Sequence, residues 1–173
     1  MSDVWIDFLT GQGFDHRGRT IESLWAAGDR RLEASHDYIQ WLFPLREPSP
    51  YNPEAPLLTD ERVAAVRSRP DLRARMWTSL FVMLRFYGFT LRQTDEGPVV
   101  EHDDDRFDER SIAWVTPSNH NFLRITRILR CLTEVGLEAE ARAFLDALSL
   151  PIEWYPGVIS ERTQAFWNAA VER

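Results

Sequence analysis

The sequence predicts an all-α fold, a compact single-domain helical bundle over residues 1–173 with roughly seven to nine helices, a long Pro-rich loop and at most one small hairpin. Three observations carry this. Apolar residues recur at helical spacing between capping residues and closing glycines or prolines over most of the chain. Only 89–102 alternates in the manner of strands. The chain is 44% hydrophobic with 7 Trp and 10 Phe, enough to build one aromatic-rich core.

Thr20 caps a short helix through Ile21, Leu24 and Trp25 that Gly28 ends. Asp29 opens the next, which runs to about Phe43 and stops at Pro44. Five prolines within 44–58 forbid a helix there; Leu45, Tyr51, Leu57 and Leu58 predict a loop packed onto the protein. Thr59 opens a short helix to about Ser68, and Pro70 with Asp71 opens a longer one, Leu72 to Tyr87, closed by Gly88. Its segment 80–84, Leu-Phe-Val-Met-Leu, is apolar on every face and predicts a central, buried helix. Phe89–Arg92 and Val99–His102 flank a Gly-Pro turn as a small hairpin. A short helix follows around Phe107. Ser118 or Asn119 caps a strong helix to Val135, ended by Gly136, and a second runs from Glu138 to Leu148. Pro151–Pro156 reads as a connector, and Ser160 caps the last helix.

Composition excludes several classes. Cys131 is the only cysteine, so there is no disulfide scaffold, and a reducing cytoplasm is compatible. No apolar run is long enough for a membrane span. The acidic start, Met-Ser-Asp-Val-Trp-Ile-Asp, lacks the cationic region of a secretory signal, so a cytoplasmic location is expected. Twenty cations, all Arg, against 27 acids give −7, which disfavours nucleic acid as a partner.

Two segments stand out. Residues 32–49, Leu-Glu-Ala-Ser-His-Asp-Tyr-Ile-Gln-Trp-Leu-Phe-Pro-Leu-Arg-Glu-Pro-Ser, are followed by Asn52-Pro53 and Ala55-Pro56-Leu57. Residues 119–129, Asn-His-Asn-Phe-Leu-Arg-Ile-Thr-Arg-Ile-Leu, form the second, with Arg85-Phe86-Tyr87-Gly88 between them. In this order they resemble the hallmarks of the opioid growth factor receptor conserved-region family, over nearly the whole chain. The resemblance implies a receptor-like domain, first known from an animal protein that binds an enkephalin peptide and is associated with nuclei and perinuclear membranes. With no repeat extension after Arg173, the chain resembles the stand-alone bacterial members. The family supplies no catalytic residues.

On one helix over 29–43, Leu32, Ile39, Leu42 and Phe43 share a side, His36 sits at its edge, and Asp37, Gln40 and Trp41 point away. Two readings follow. Asp37 and Gln40 hydrogen-bond amides of the Pro-rich loop, as buried polar groups must, or they form with Trp41 a polar-aromatic ligand pocket. The doublet His36-Asp37, with His16 upstream, also matches in composition a metal-dependent hydrolase of the HD type. In the second segment Phe122, Ile125, Ile128, Leu129, Leu132 and Val135 form an apolar stripe, with Arg124 at its boundary and Arg127 and Arg130 turned away. Asn119, His120 and Asn121 stand at a helix start, where an anion or carboxylate can dock beside Arg124; otherwise Asn119 is simply the cap.

The candidate ligand-binding residues are His36, Asp37, Gln40, Trp41, Arg46, Asn119, His120, Asn121, Arg124 and Arg127, for an unknown peptide, protein or small anionic ligand. Polar economy predicts that the helix starting near Asn121 packs beside the 29–43 helix, with Arg124 near Asp37 or the loop after Pro44, and Arg46 and His120 at the rim. No cofactor, metal site or catalytic group is assigned, since no nucleophile–base pair is set by spacing. The function expected is a non-enzymatic binding domain; the alternatives are the hydrolase and a scaffold subunit without a small ligand. Asp103-Asp104-Asp105 reads as a solvated acidic turn, Cys131 as inert, and Arg17 and Arg19 as partners of the acidic surplus or as lining near the first segment.

Overall fold

The computed structural model describes residues 3–172. The chain divides into two compact units, 1–82 and 83–173. Helices dominate both, but the all-α expectation is overturned. A two-stranded antiparallel sheet gives mixed content, and the helices exceed seven to nine. The strands β1 (Phe89–Thr94) and β2 (Gly97–His102) pair over six positions, from Phe89↔His102 to Thr94↔Gly97. Phe89, Leu91 and Val100 are buried, so the hairpin is core and not a surface appendage.

In the first unit, α1 (Val4–Thr10) lies where no helix was expected. Asp3 accepts from Trp5 N and Ile6 N and caps it, and Trp5, Phe8 and Leu9 are buried. The capping signal is ordinary; a helix of seven residues is too short for its pattern to stand out. Next come α2 (Ile21–Trp25), capped by Thr20, and α3 (Asp29–Ala34), which starts after Gly28. The single helix expected to Phe43 does not form. The chain leaves the helix at Ser35 and re-enters only for α4 (Ile39–Leu42). Ser35, His36 and Asp37 are weak helix formers that compete for backbone groups, and Asp37 is drawn to arginines of another segment. Trp5 Nε1 donates to the Trp41 carbonyl at 2.9 Å, and Phe8 packs on Trp41 edge to face with centroids 5.2 Å apart.

The Pro-rich loop is clamped by Leu58 N to Leu45 O at 2.9 Å, with Leu45 and Leu58 buried but Tyr51 and Leu57 exposed. Thr59 caps α5 (Asp60–Ser68), as expected. Helix α6 (Pro70–Tyr87) starts on its proline. Its apolar segment is less enclosed than expected: Leu80, Met83 and Leu84 are buried, while Phe81 and Val82 are half-buried. Trp25 Nε1 donates to Ser79 Oγ at 2.9 Å, tying α2 to α6 within the first unit.

In the second unit, α6 ends at Gly88 with φ +90°, where a Cβ would sit 2.8 Å from Phe107 Cα. Helices α7 (Phe107–Trp114), α8 (Asn121–Glu134), α9 (Glu138–Ala147), α10 (Ser149–Trp154) and α11 (Glu161–Val171) follow. The expected connector at 151–156 is mostly α10. Pro151 sits in its first turn, where the missing N–H costs nothing. Helix α9 packs against β2 and α8, and α8 against α11. Tyr87, Trp114, Phe144, Phe89 and Phe107 form the aromatic centre, with centroid separations of 5.2–6.2 Å. Trp114 Nε1 finds the Tyr87 carbonyl at 3.0 Å, and Trp167 Nε1 finds that of Phe122 at 3.1 Å.

Candidate functional site

The loop Asp15–Arg19 is built around one buried carboxylate. Asp15 Oδ1 accepts from Arg17 N and Arg19 N, both at 2.9 Å, and Oδ2 accepts from Arg19 Nε at 2.6 Å. Gly18 turns the chain at φ +72° and donates to Asp15 O at 2.9 Å. A side-chain carboxylate closing its own turn with a left-handed glycine three residues on is an Asx-type turn. The result is a rigid loop that presents His16, Arg17 and Arg19 together.

Those three side chains meet Asp37. Arg17 Nε lies 2.8 Å and His16 Nε2 3.5 Å from Asp37 Oδ2, and Arg19 Nη2 lies 3.0 Å from Oδ1. Burial pushes the Asp37 carboxyl up. The hydrogen bond and charge of Arg19, with the charges of Arg17 and His16, outweigh it and hold the group below its ordinary value of 3.8. Asp37 is therefore an ionised hub. Its carbonyl accepts from Asn52 Nδ2 at 2.8 Å, which fastens the Pro-rich loop to the same place. The His16 ring stacks on the Trp41 indole, centroids 6.1 Å apart. Gln40 Nε2 donates to His36 O at 3.1 Å.

Among the described residues, His16 Nδ1, Gln40 Oε1 and Trp41 Nε1 are buried in this cluster with no hydrogen-bond partner, beside an equally buried Arg19 Nη2 that forms its ion pair with Asp37. Gln40 and Trp41 are each only 4% exposed. Such atoms are rare, and each one left without a partner costs free energy. Arg17, by contrast, is largely exposed, so its guanidinium reaches solvent beside the ionised hub. Phe14 and Tyr51, neighbours in sequence of Asp15 and Asn52, are exposed aromatics.

At the start of α8 the polar groups are largely satisfied locally. Asn119 Oδ1 accepts from Asn121 N and Nδ2, both at 2.9 Å, and Arg124 N donates to His120 O. Arg124, buried, donates from Nη1 to Asn121 Oδ1 at 3.2 Å, and Asn121 Nδ2 lies 3.4 Å from His120 Nε2. Asn119 thus acts as a cap from one residue further out than the formal cap, His120. The amides of Asn121, Phe122 and Arg124 are thereby engaged within the chain.

The first unit therefore gathers Asp37, Gln40 and Trp41 with His16, Arg17 and Arg19, and the second unit gathers Asn119, His120, Asn121 and Arg124. Arg46 pairs with Asp60 at 2.7 Å on the exposed side of the Pro-rich loop. His36 is exposed, so the break in the helix overturns its place at the edge of an apolar face. Arg127 is half-buried on α8. Sequence reasoning missed Asp15 as the organiser; the Asp-x-x-Gly spacing was the available signal.

The two segments lie inside a larger match. The family profile described as "Opioid growth factor receptor (OGFr) conserved region" covers residues 14–150. The chain belongs to the opioid growth factor receptor conserved-region family. The opioid growth factor receptor of Rattus norvegicus is 41% identical over 130 residues, 72% of this chain and 21% of that protein. That of Homo sapiens is 40% identical over 114 residues, 66% of this chain and 16% of that protein. The opioid growth factor receptor-like protein 1 of Mus musculus is 35% identical over 116 residues, 66% of this chain and 24% of that protein. The chain thus spans about a fifth of the length of the curated relatives it matches. No solved structure matches it. Within the family match lie both the 15–19 loop and the 36–41 segment. Among the described residues, no helix is long and apolar enough to cross a membrane.

Proposed function

We propose that this family member is a non-enzymatic binding domain. Its ligand site is formed by the 15–19 loop and the 36–41 segment, and its ligand is a short peptide or small anionic molecule. The observation that supports this reading is the group of buried polar atoms without partners, Trp41 Nε1, Gln40 Oε1 and His16 Nδ1, around an ionised carboxylate and an exposed guanidinium. The chain satisfies Asp15 three ways within a few residues of them, so a ligand offering both an acceptor and a donor is what these neighbours lack. Arg17 adds a cation for a carboxylate, and Phe14 and Tyr51 add exposed apolar contact.

The names of the relatives suggest the first probe. Isothermal titration of the full chain with the opioid growth factor peptide is expected to give saturable heat, and Trp41→Phe, which removes only the indole donor and some ring area, is expected to weaken binding about tenfold. No heat with the unaltered chain, or equal affinity in Trp41→Phe, would overturn the assignment. The hydrolase alternative gains no support: His36 is exposed, and Asp37 is committed to arginines. Among the described residues no group of three His, Cys, Asp or Glu stands close enough to hold a metal.

A further inference from the structure

A second feature lies in the other unit. Between β2, the end of α9 and the start of α10 is an open groove of about 420 Å³, within the size range of small-ligand clefts. Val100, Ala147 and Leu150 give it apolar walls. Glu101 and Asp104 also line it, and the Asp104 side chain is 91% exposed. The run Glu101–Asp105 holds four carboxylates and no arginine, and the Nη2 of the next residue, Arg106, is directed to the Arg85 carbonyl. Trp154, at the end of α10, is about half exposed. Its ring meets His102 at 6.2 Å and Phe107 at 5.5 Å.

We propose that this groove docks a cationic side chain, an arginine or lysine presented by a basic peptide segment. The occupant follows from charge complementarity and from the aromatic surface. An exposed carboxylate attracts the cation, the apolar walls take its aliphatic stem, and the Trp154 indole, in ring contact with the His102 that lines the groove, offers a cation–π face. Glu101 shows the chemistry within the chain itself: its carboxylate accepts the Arg92 guanidinium across the hairpin at 2.8 Å. Asp104 meets the His102 ring at 3.0 Å, a contact that a guanidinium or ammonium group can displace. The groove is not arranged for hydrolysis. Ser149 also lines it, but its hydroxyl is donated to the Asp146 carbonyl at 2.7 Å and not to His102.

The test uses the full chain, labelled with nitrogen-15 and titrated with acetyl-Arg-Ala-Arg-amide, with acetyl-Glu-Ala-Glu-amide as control. Shifts confined to the amides around 100–104 and 147–150 and to the Trp154 indole are expected, fading with added salt. Asp104→Asn, at an exposed position, leaves the melting temperature unchanged and weakens binding about three- to fivefold. The proposal is overturned if the arginine peptide gives no shifts, if the glutamate peptide gives the same ones, if they centre on residues 15–19 and 36–41, or if Asp104→Asn binds as well. The outcome is separate from that of the Trp41 titration, because the two sites share no residue.

Discussion

Trp41→Ala tests the first unit's core and its missing partners at once. The indole is 4% exposed and packs on Phe8 and His16. Truncating a buried Trp costs about 3–5 kcal/mol through lost transfer energy and the cavity left behind. Here one component runs the other way. Trp41 Nε1 is buried without a partner, a penalty of about 1–3 kcal/mol that alanine removes. The backbone bond from Trp5 Nε1 to the Trp41 carbonyl survives either change, because it does not involve the side chain. The expected loss is therefore about 2–3 kcal/mol, less than for an indole whose N–H is bonded. In a chain of this size that lowers Tm by about 4–12 °C. Trp41→Phe keeps most of the ring and removes the donor, so its cost is expected to stay within about 1 kcal/mol. Urea unfolding followed by far-UV circular dichroism measures both. If Trp41→Phe costs as much as Trp41→Ala, the donor is bonded in the free protein and the reasoning fails. If Trp41→Ala costs less than Trp41→Phe, the indole is not part of the core.

Three further outcomes are expected. Gly88→Ala should destabilise by about 2–5 kcal/mol in the same assay, combining a left-handed residue with a Cβ pressed against the Phe107 backbone. Asp37 binds its proton less readily folded than unfolded, so its stabilising contribution is full above the ordinary carboxylate value of 3.8 and drains away as pH falls through and below it. Tm plotted against pH should fall less steeply on the acid side in Asp37→Asn than in the unaltered chain; parallel curves would show that Asp37 is not the hub. Cys131 is fully buried and desolvation pushes its thiol far up, so a thiol reagent should label it in denaturant and not in the folded protein.

Much of the fold was legible where capping chemistry and apolar spacing agree. Thr20, Thr59 and Ser160 cap the helices expected of them, and the hairpin falls where the helical pattern lapses. What could not be read was the effect of distant partners on local choice. Residues 29–43 have enough apolar spacing for one helix, yet Asp37 gains more from the 15–19 loop than a continuous helix would return. Once the helix breaks, the wheel that set His36 beside Leu32 and Ile39 no longer applies. The class itself was missed for a related reason. A strand with Pro98 and a polar outer face looks marginal alone, and it is the packing of β2 on α9 that makes it part of the core.

The site was legible in its residue types and not in its wiring. Polar economy requires partners for Asp37 and Arg124, and each has one within its own unit. Closing a short loop costs little entropy, so nearby groups have the advantage. Asp37 takes its cations from a loop that Asp15 has already made rigid, and Arg124 finds the Asn121 side chain one turn back. Beside such local solutions, the atoms without partners become the informative ones. The Trp41 and Gln40 side chains are each 4% exposed, so rotation toward water is closed to them, and His16 is half-buried against the indole. A sequence that needed only a stable core could place Phe, Leu and Phe at these positions and save the cost of three unmet polar groups. The polar choice is explained if those atoms are completed by something other than this chain. That ties the binding reading to the same indole whose replacement by Phe is expected to leave stability nearly intact and affinity reduced.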